Sequence, residues 1–207
     1  MTINFITVIR FTIFYLLNFF RYRRLSFKSF IDRPLRISGR EYIEIDKNVR
    51  INKYAWLVAL KIDVYDPKLT IGEGCSLGDF NHIAAVRSVA FGKFVLTANG
   101  VYISDNLHSF ENIHVPIMHQ PVVFKSEVSV GDGTWIGEHV CIIGAKIGKH
   151  CVIGANAVVT KDVPDYSVVA GAPARVIKRY NLLTMKWEKI PVQDDMQETG
   201  PSREGKE

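Results

Sequence analysis

Cysteine is scarce in this chain: Cys75, Cys141 and Cys151 make an odd number, and no two of them form a CxxC pair. That leaves no basis for a disulfide framework or a cysteine-rich zinc site, so no metal is expected. Cys75 and Cys151 read as compact buried thiols in a reducing compartment. Long uncharged apolar runs are also missing. The longest, Phe11 to Phe20, is half of the roughly 20 residues that a spanning helix needs, and Arg10 interrupts any extension. Despite a net charge of +5, no aromatic-plus-basic recognition module is present, and the basic residues gather near Arg21–Arg24 and Arg175–Arg179. A nucleic-acid partner is therefore not expected.

The apolar stretch from Ile3 to Phe20, followed by Arg21, Arg23 and Arg24, sets residues 1–34 apart as a leader. A helix lying in a membrane interface, a helix packed on the domain or on another copy, and a spanning helix are all open from this pattern. A signal peptide fits poorly, because charge falls inside the apolar run and no small-x-small cleavage site follows. The expectation is a cytoplasmic protein, peripheral at the inner face of the cell membrane, with contact through residues 3–24.

The strongest pattern is a period of six. Ile71, Leu77, Ile83, Val89, Val95, Val101 and Leu107 are all branched aliphatics. At 47% hydrophobic residues, seven hits in one chosen phase have a chance probability of roughly 0.005. Ile45, Ile51 and Leu57 continue the period upstream; Val130, Ile136, Ile142, Ile147, Ile153 and Val159 continue it downstream, with one shortened step after Ile142. Glycine often follows the aliphatic residue, and a compact residue often stands four places after it. A helix wants apolar residues every 3.6 positions and a lone strand every second one, so sixes imply a β-solenoid with short flat faces. A β-sandwich is the alternative and would show irregular turn spacing. The stretch from Leu60 to Leu69 breaks the phase and reads as a loop. A larger interruption, His108 to Lys125, holds three histidines and two prolines, and long loops on rigid scaffolds are where chemistry concentrates. The body spans residues 35–180; residues 181–207 read as a short helix or strap followed, from Gln193, by a disordered tail.

The runs Gly131-Asp132-Gly133-Thr134-Trp135-Ile136-Gly137, Ile153-Gly154-Ala155-Asn156-Ala157-Val158-Val159-Thr160-Lys161-Asp162-Val163-Pro164 and Val169-Ala170-Gly171-Ala172-Pro173-Ala174-Arg175-Val176-Ile177-Lys178 resemble the hexapeptide-repeat O-acetyltransferases. The segment Val101-Tyr102-Ile103-Ser104-Asp105-Asn106-Leu107-His108-Ser109-Phe110-Glu111 is similar to the bacterial sugar and lipopolysaccharide branch. The resemblance implies an all-β, left-handed parallel β-helix, an exception to the usual crossover hand. It also implies a homotrimer, with acetyl-CoA as co-substrate in clefts between subunits and a saccharide as acceptor.

Acetyl transfer to a sugar hydroxyl needs a base, because an alcohol is scarcely ionised at neutral pH, and an imidazole can take the proton and return it to the departing thiolate. The resemblance assigns that role to His108. It assigns Asp79, Asn81 and Asp105 to the acceptor side, although Asp79 stands where the family often has Asn; Asp79 and Asp105 could also orient His108 or merely satisfy loop amides. For the cofactor it implies Trp135, the backbone amide of Glu138, Ala155, Thr160, Lys161, Arg175 and Lys178, the cations opposite phosphates. His114 and His119 share the loop without matching a motif, and His82, His139 and His150 read as coil-surface residues. Competing readings are a xenobiotic O-acetyltransferase, a γ-type carbonic anhydrase using His82, His108 and His114 on zinc, and a non-catalytic scaffold.

Overall fold

The computed structural model describes residues 5–190. The chain winds as a three-faced coil. The first face stacks Arg24–Leu25, Ile43–Ile45, Lys68–Ile71, Ser88–Phe91, Val128–Val130 and Lys146–Ile147 as parallel strands. The second begins with Phe30–Ile31 and Arg50–Ile51 and continues through Trp135–Ile136, Val152–Ile153 and Ser167–Ala170; the third runs from Arg36–Ser38 through Trp56–Ala59, His82–Ala85, Tyr102–Ser104 and Cys141–Ile143 to Val158–Val159. Within the coils each strand pairs with the strand one full turn away, so the ladders of the prism itself are parallel; the antiparallel pairs belong to the C-terminal strap and to an arm that leaves the prism.

Inward ladders fill the prism: Ile45, Ile71, Phe91, Val130 and Ile147 on the first face, and Ile37, Leu57, Ile83, Ile103, Ile142 and Val159 on the third, all buried. The register corrects one detail of the sequence pattern. Ile71, Leu77 and Ile83 are ladder positions, but the turn after Ala85 carries two additional residues, so the ladder resumes at Phe91, Thr97 and Ile103. Val89, Val95 and Val101 instead hold the second inward position of their coils. The run of seven looked uninterrupted because side chains alternate across a strand, and a slip of two residues exchanges one inward position for another.

Corners run through left-handed backbone, with Tyr54, Phe80, His139 and Asn156 sharing one edge. Where Gly100 takes that conformation, at φ +65, a Cβ would lie 2.3 Å from His139 Nδ1, so only glycine lets the next coil's ring settle there. Two of the free thiols, Cys75 and Cys151, fill corners: Cys75 donates to the Gly92 carbonyl at 3.0 Å, and burial pushes its pKa up to about 11.

An α-helix, Phe5–Asn18, lies against the first coil, with Phe14 and Tyr15 on the core and Phe11 5.7 Å from Phe30. Among the described residues no helix is long and apolar enough to cross a membrane. At the other end, Arg175–Asn181 and Lys186–Lys189 form an antiparallel pair on the second face, so this strap is built of strands and not of helix. The tail expected from Gln193 onward lies outside the described residues.

Candidate active site

His108 ends a strand, Asn106–His108, that leaves the prism at the edge between the third and first faces and pairs antiparallel with Val122–Phe124. The arm closes with the Ser109 amide on the Pro121 carbonyl at 2.8 Å. Its tip is organised by Gln120, whose Nε2 donates to the Asn112 and Val115 carbonyls at 2.9 and 2.8 Å. A cavity of about 520 Å³ within this tip is lined by Phe110, Ile113, His114 and Ile117 among others. The His108 ring is exposed and bonds to no side chain or backbone group among the described residues, which leaves it available to accept a proton from a ligand.

Asp105 holds the root of the arm. The residue is fully buried, and its carboxylate accepts the backbone N–H groups of Val86, Arg87 and Ser88 at 2.7–2.8 Å and the Asn106 side-chain amide at 2.9 Å. Four donors leave nothing for an acceptor sugar or for the imidazole, so the expected substrate contact gives way to an anchoring one. Asn81 is corrected in the same way. It is fully buried, its amide donates to Thr97 Oγ1, and its oxygen accepts the Val101 amide at 2.8 Å. Asp79 is partly exposed at a corner; one oxygen accepts the Lys53 amide at 2.8 Å.

Asp79, Glu138 and Ala155 lie on one edge, between the second and third faces. The Asp79 amide donates to Asn99 Oδ1 at 2.8 Å, Asn99 Nδ2 donates to Glu138 Oε1 at 3.0 Å, and the Glu138 carbonyl accepts from Asn156. The Glu138 N–H itself donates to nothing among the described residues, and Gly137 leaves room for the next coil, since a Cβ there would meet the Ala155 nitrogen at 2.7 Å. Trp135 and Lys178 share a row across the second face through Val152 and Val168. Thr160 and Lys161 are exposed two strands beyond the root of the arm on its own edge, and Arg175 opens the strap. One chain therefore does not gather these residues into one cleft: the imidazole and the Glu138 amide stand on opposite edges of the third face.

A residue without a sequence motif ties the arm to the body. The Arg87 guanidinium lies between the Tyr65 ring at 4.2 Å and the Phe124 ring at 4.6 Å, and its Nη2 meets Asp63 at 3.0 Å. Phe124 pairs with Asn106, at the start of the His108 strand. Nothing in local spacing points to Arg87, because its partners come from a loop and an arm that only folding brings together. The three histidines of a zinc alternative are not gathered either. His82 is stacked on Trp56 at 4.1 Å on the third face, where burial lowers its pKa, and no metal-sized group of His, Cys, Asp or Glu occurs among the described residues.

Residues 127–161 match the family model described as the hexapeptide repeat of succinyl-transferase. Over 159 residues the chain is 34% identical to WbbJ of Escherichia coli, which carries the name of a lipopolysaccharide biosynthesis O-acetyl transferase; the match covers 72% of this chain and 80% of that protein. It is 31% identical to the galactoside O-acetyltransferase of Escherichia coli, over 72% of each chain. Among solved structures, a galactoside acetyltransferase in complex with coenzyme A is similar at 25% identity and a TM-score of 0.53, covering 74% of this chain and 66% of that one. AntD, an N-acyltransferase from Bacillus cereus, shares the fold at 20% identity and a TM-score of 0.65, covering 79% of this chain and 86% of its own.

Proposed function

We propose a reaction from one premise: the chain belongs to the hexapeptide-repeat acetyltransferases and is an acetyltransferase. The reaction is transfer of the acetyl group of acetyl-CoA to a hydroxyl of a saccharide, in the assembly of a polysaccharide or lipopolysaccharide. His108 takes the hydroxyl proton while the oxygen bonds to the thioester carbon. The carbon–sulfur bond then breaks, and the imidazolium returns the proton to the leaving sulfur. The free Glu138 N–H suits the carbonyl oxygen as it gains charge. Lys161, Arg175 and Lys178 suit the phosphates of the coenzyme, and Trp135, Ala155 and Thr160 its remaining length.

The exposed imidazole on a strand-paired arm, without a bonding partner among the described residues, carries this reading. Since base and amide stand on opposite edges of one face, a cleft holding both is built from two copies, which favours the trimer of the family; the left-handed winding rests on the family kinship alone. Asp79, with one carboxylate oxygen unspent, is the acceptor-side residue on the amide edge. Replacing His108 with Ala should lower turnover about 100- to 10,000-fold while calorimetry finds coenzyme affinity unchanged. Turnover within a few-fold of the native enzyme would overturn the role.

A further inference from the structure

The helix Phe5–Asn18 has two apolar stripes and only one is used. Phe11, Phe14, Tyr15 and Asn18, spaced as one helical face, turn toward the first coil and are half-buried. Ile9, Ile13, Leu16, Leu17 and Phe20 continue along the other side and are 42–70% exposed. A helix apolar on every side is normally covered on every side, and Phe27 extends the uncovered surface at 63% exposure while packing its ring 6.5 Å from Tyr15.

The charge around this stripe selects the occupant. Residues 1–46 hold eight Lys or Arg against four Asp or Glu, so most of the chain's excess of +5 sits at this end. Their pairing leaves cations over: Arg10 and Arg33 share Asp32, and Arg23 and Arg24 share Glu44. Arg21 and Lys28 have no acidic partner among the described residues. An apolar stripe on an end of the chain with a net cationic excess is complementary to an anionic lipid surface, whereas a second copy would bring like charge against it.

We propose that the outer stripe of this helix, with Phe27 and the surrounding Arg and Lys, docks the coil end-on against an anionic bilayer. The arm that carries His108 springs from the fourth strand of the third face, three strand spacings, or about 15 Å, along the prism from the docked coil. That height suits a saccharide carried on a lipid. This last step rests on the sugar-acetylating reading, while docking itself does not.

Flotation of the full chain with vesicles tests the docking. Vesicles of phosphatidylglycerol mixed with phosphatidylcholine should carry the protein, phosphatidylcholine alone should carry much less, and raised salt should release it. The double variant Ile13→Glu, Leu17→Glu alters exposed positions only and should bind more than tenfold more weakly with an unchanged melting temperature. Absence of vesicle binding in the native chain, or equal binding by the double variant, overturns the proposal. A fall in oligomer size on making the double variant, without native vesicle binding, assigns the stripe to a second copy instead. His108→Ala should float like the native chain, so loss of the reaction and loss of docking are read separately.

Discussion

The coil body and the arm that leaves it treat polar side chains in opposite ways. In the body, Asn81, Thr97, Asp105 and Thr134 are buried and their polar atoms are committed to neighbouring coils; Thr134, for example, donates to the Gly148 carbonyl at 2.9 Å and accepts the Cys151 amide at 3.1 Å. In the arm, His108, His114 and His119 are exposed beside Phe110, Ile113 and Met118. A narrow parallel prism has no spare volume, so each polar group inside it must satisfy a backbone amide or destabilise the stack. In the arm only Gln120, among the described residues, is buried and committed in this way, and the exposed side chains around it can meet a ligand. A motif residue in the body is therefore a structural part until an unspent atom is found on it, and one in the arm is a chemical candidate.

Asp105→Ala strikes the junction of the two regions and should have the largest combined effect. It orphans three backbone N–H groups and leaves the Asn106 amide only the Ala84 carbonyl, costing about 3 kcal/mol by denaturant unfolding, and turnover should fall with it. Unchanged stability would break the distinction between spent and free polar groups. Arg87→Lys keeps the charge but loses the flat group held between Tyr65 and Phe124. Turnover should drop about tenfold with coenzyme affinity and unfolding midpoint nearly unchanged, which a purely structural contact would not produce. The smallest effect belongs to His82. Its pKa is lowered from about 6.5 by burial, so the folded state resists protonation more than the unfolded chain does. Stability is then full above that range and declines as pH falls through it. His82→Phe should flatten this decline, a difference of no more than about 2 °C in melting temperature at pH 5.5.

Sequence alone determined the period, the all-β solenoid, the site of the large interruption and the motif-based kinship, because inward aliphatic spacing and corner glycines are properties of consecutive residues. It did not determine which inward column each aliphatic joins: two additional residues after Ala85 exchange Val89 for Phe91 without breaking the alternation. Nor could it separate His108 from Asn81 and Asp105 by role, although all three sit in matching motifs. Whether a polar side chain is spent depends on backbone amides and a threonine hydroxyl that lie sixteen to twenty residues away along the chain and one coil away in space. Only the stacked structure brings those amides into reach, and it alone sets the imidazole and the Glu138 amide on separate edges and encloses Arg87 between two rings.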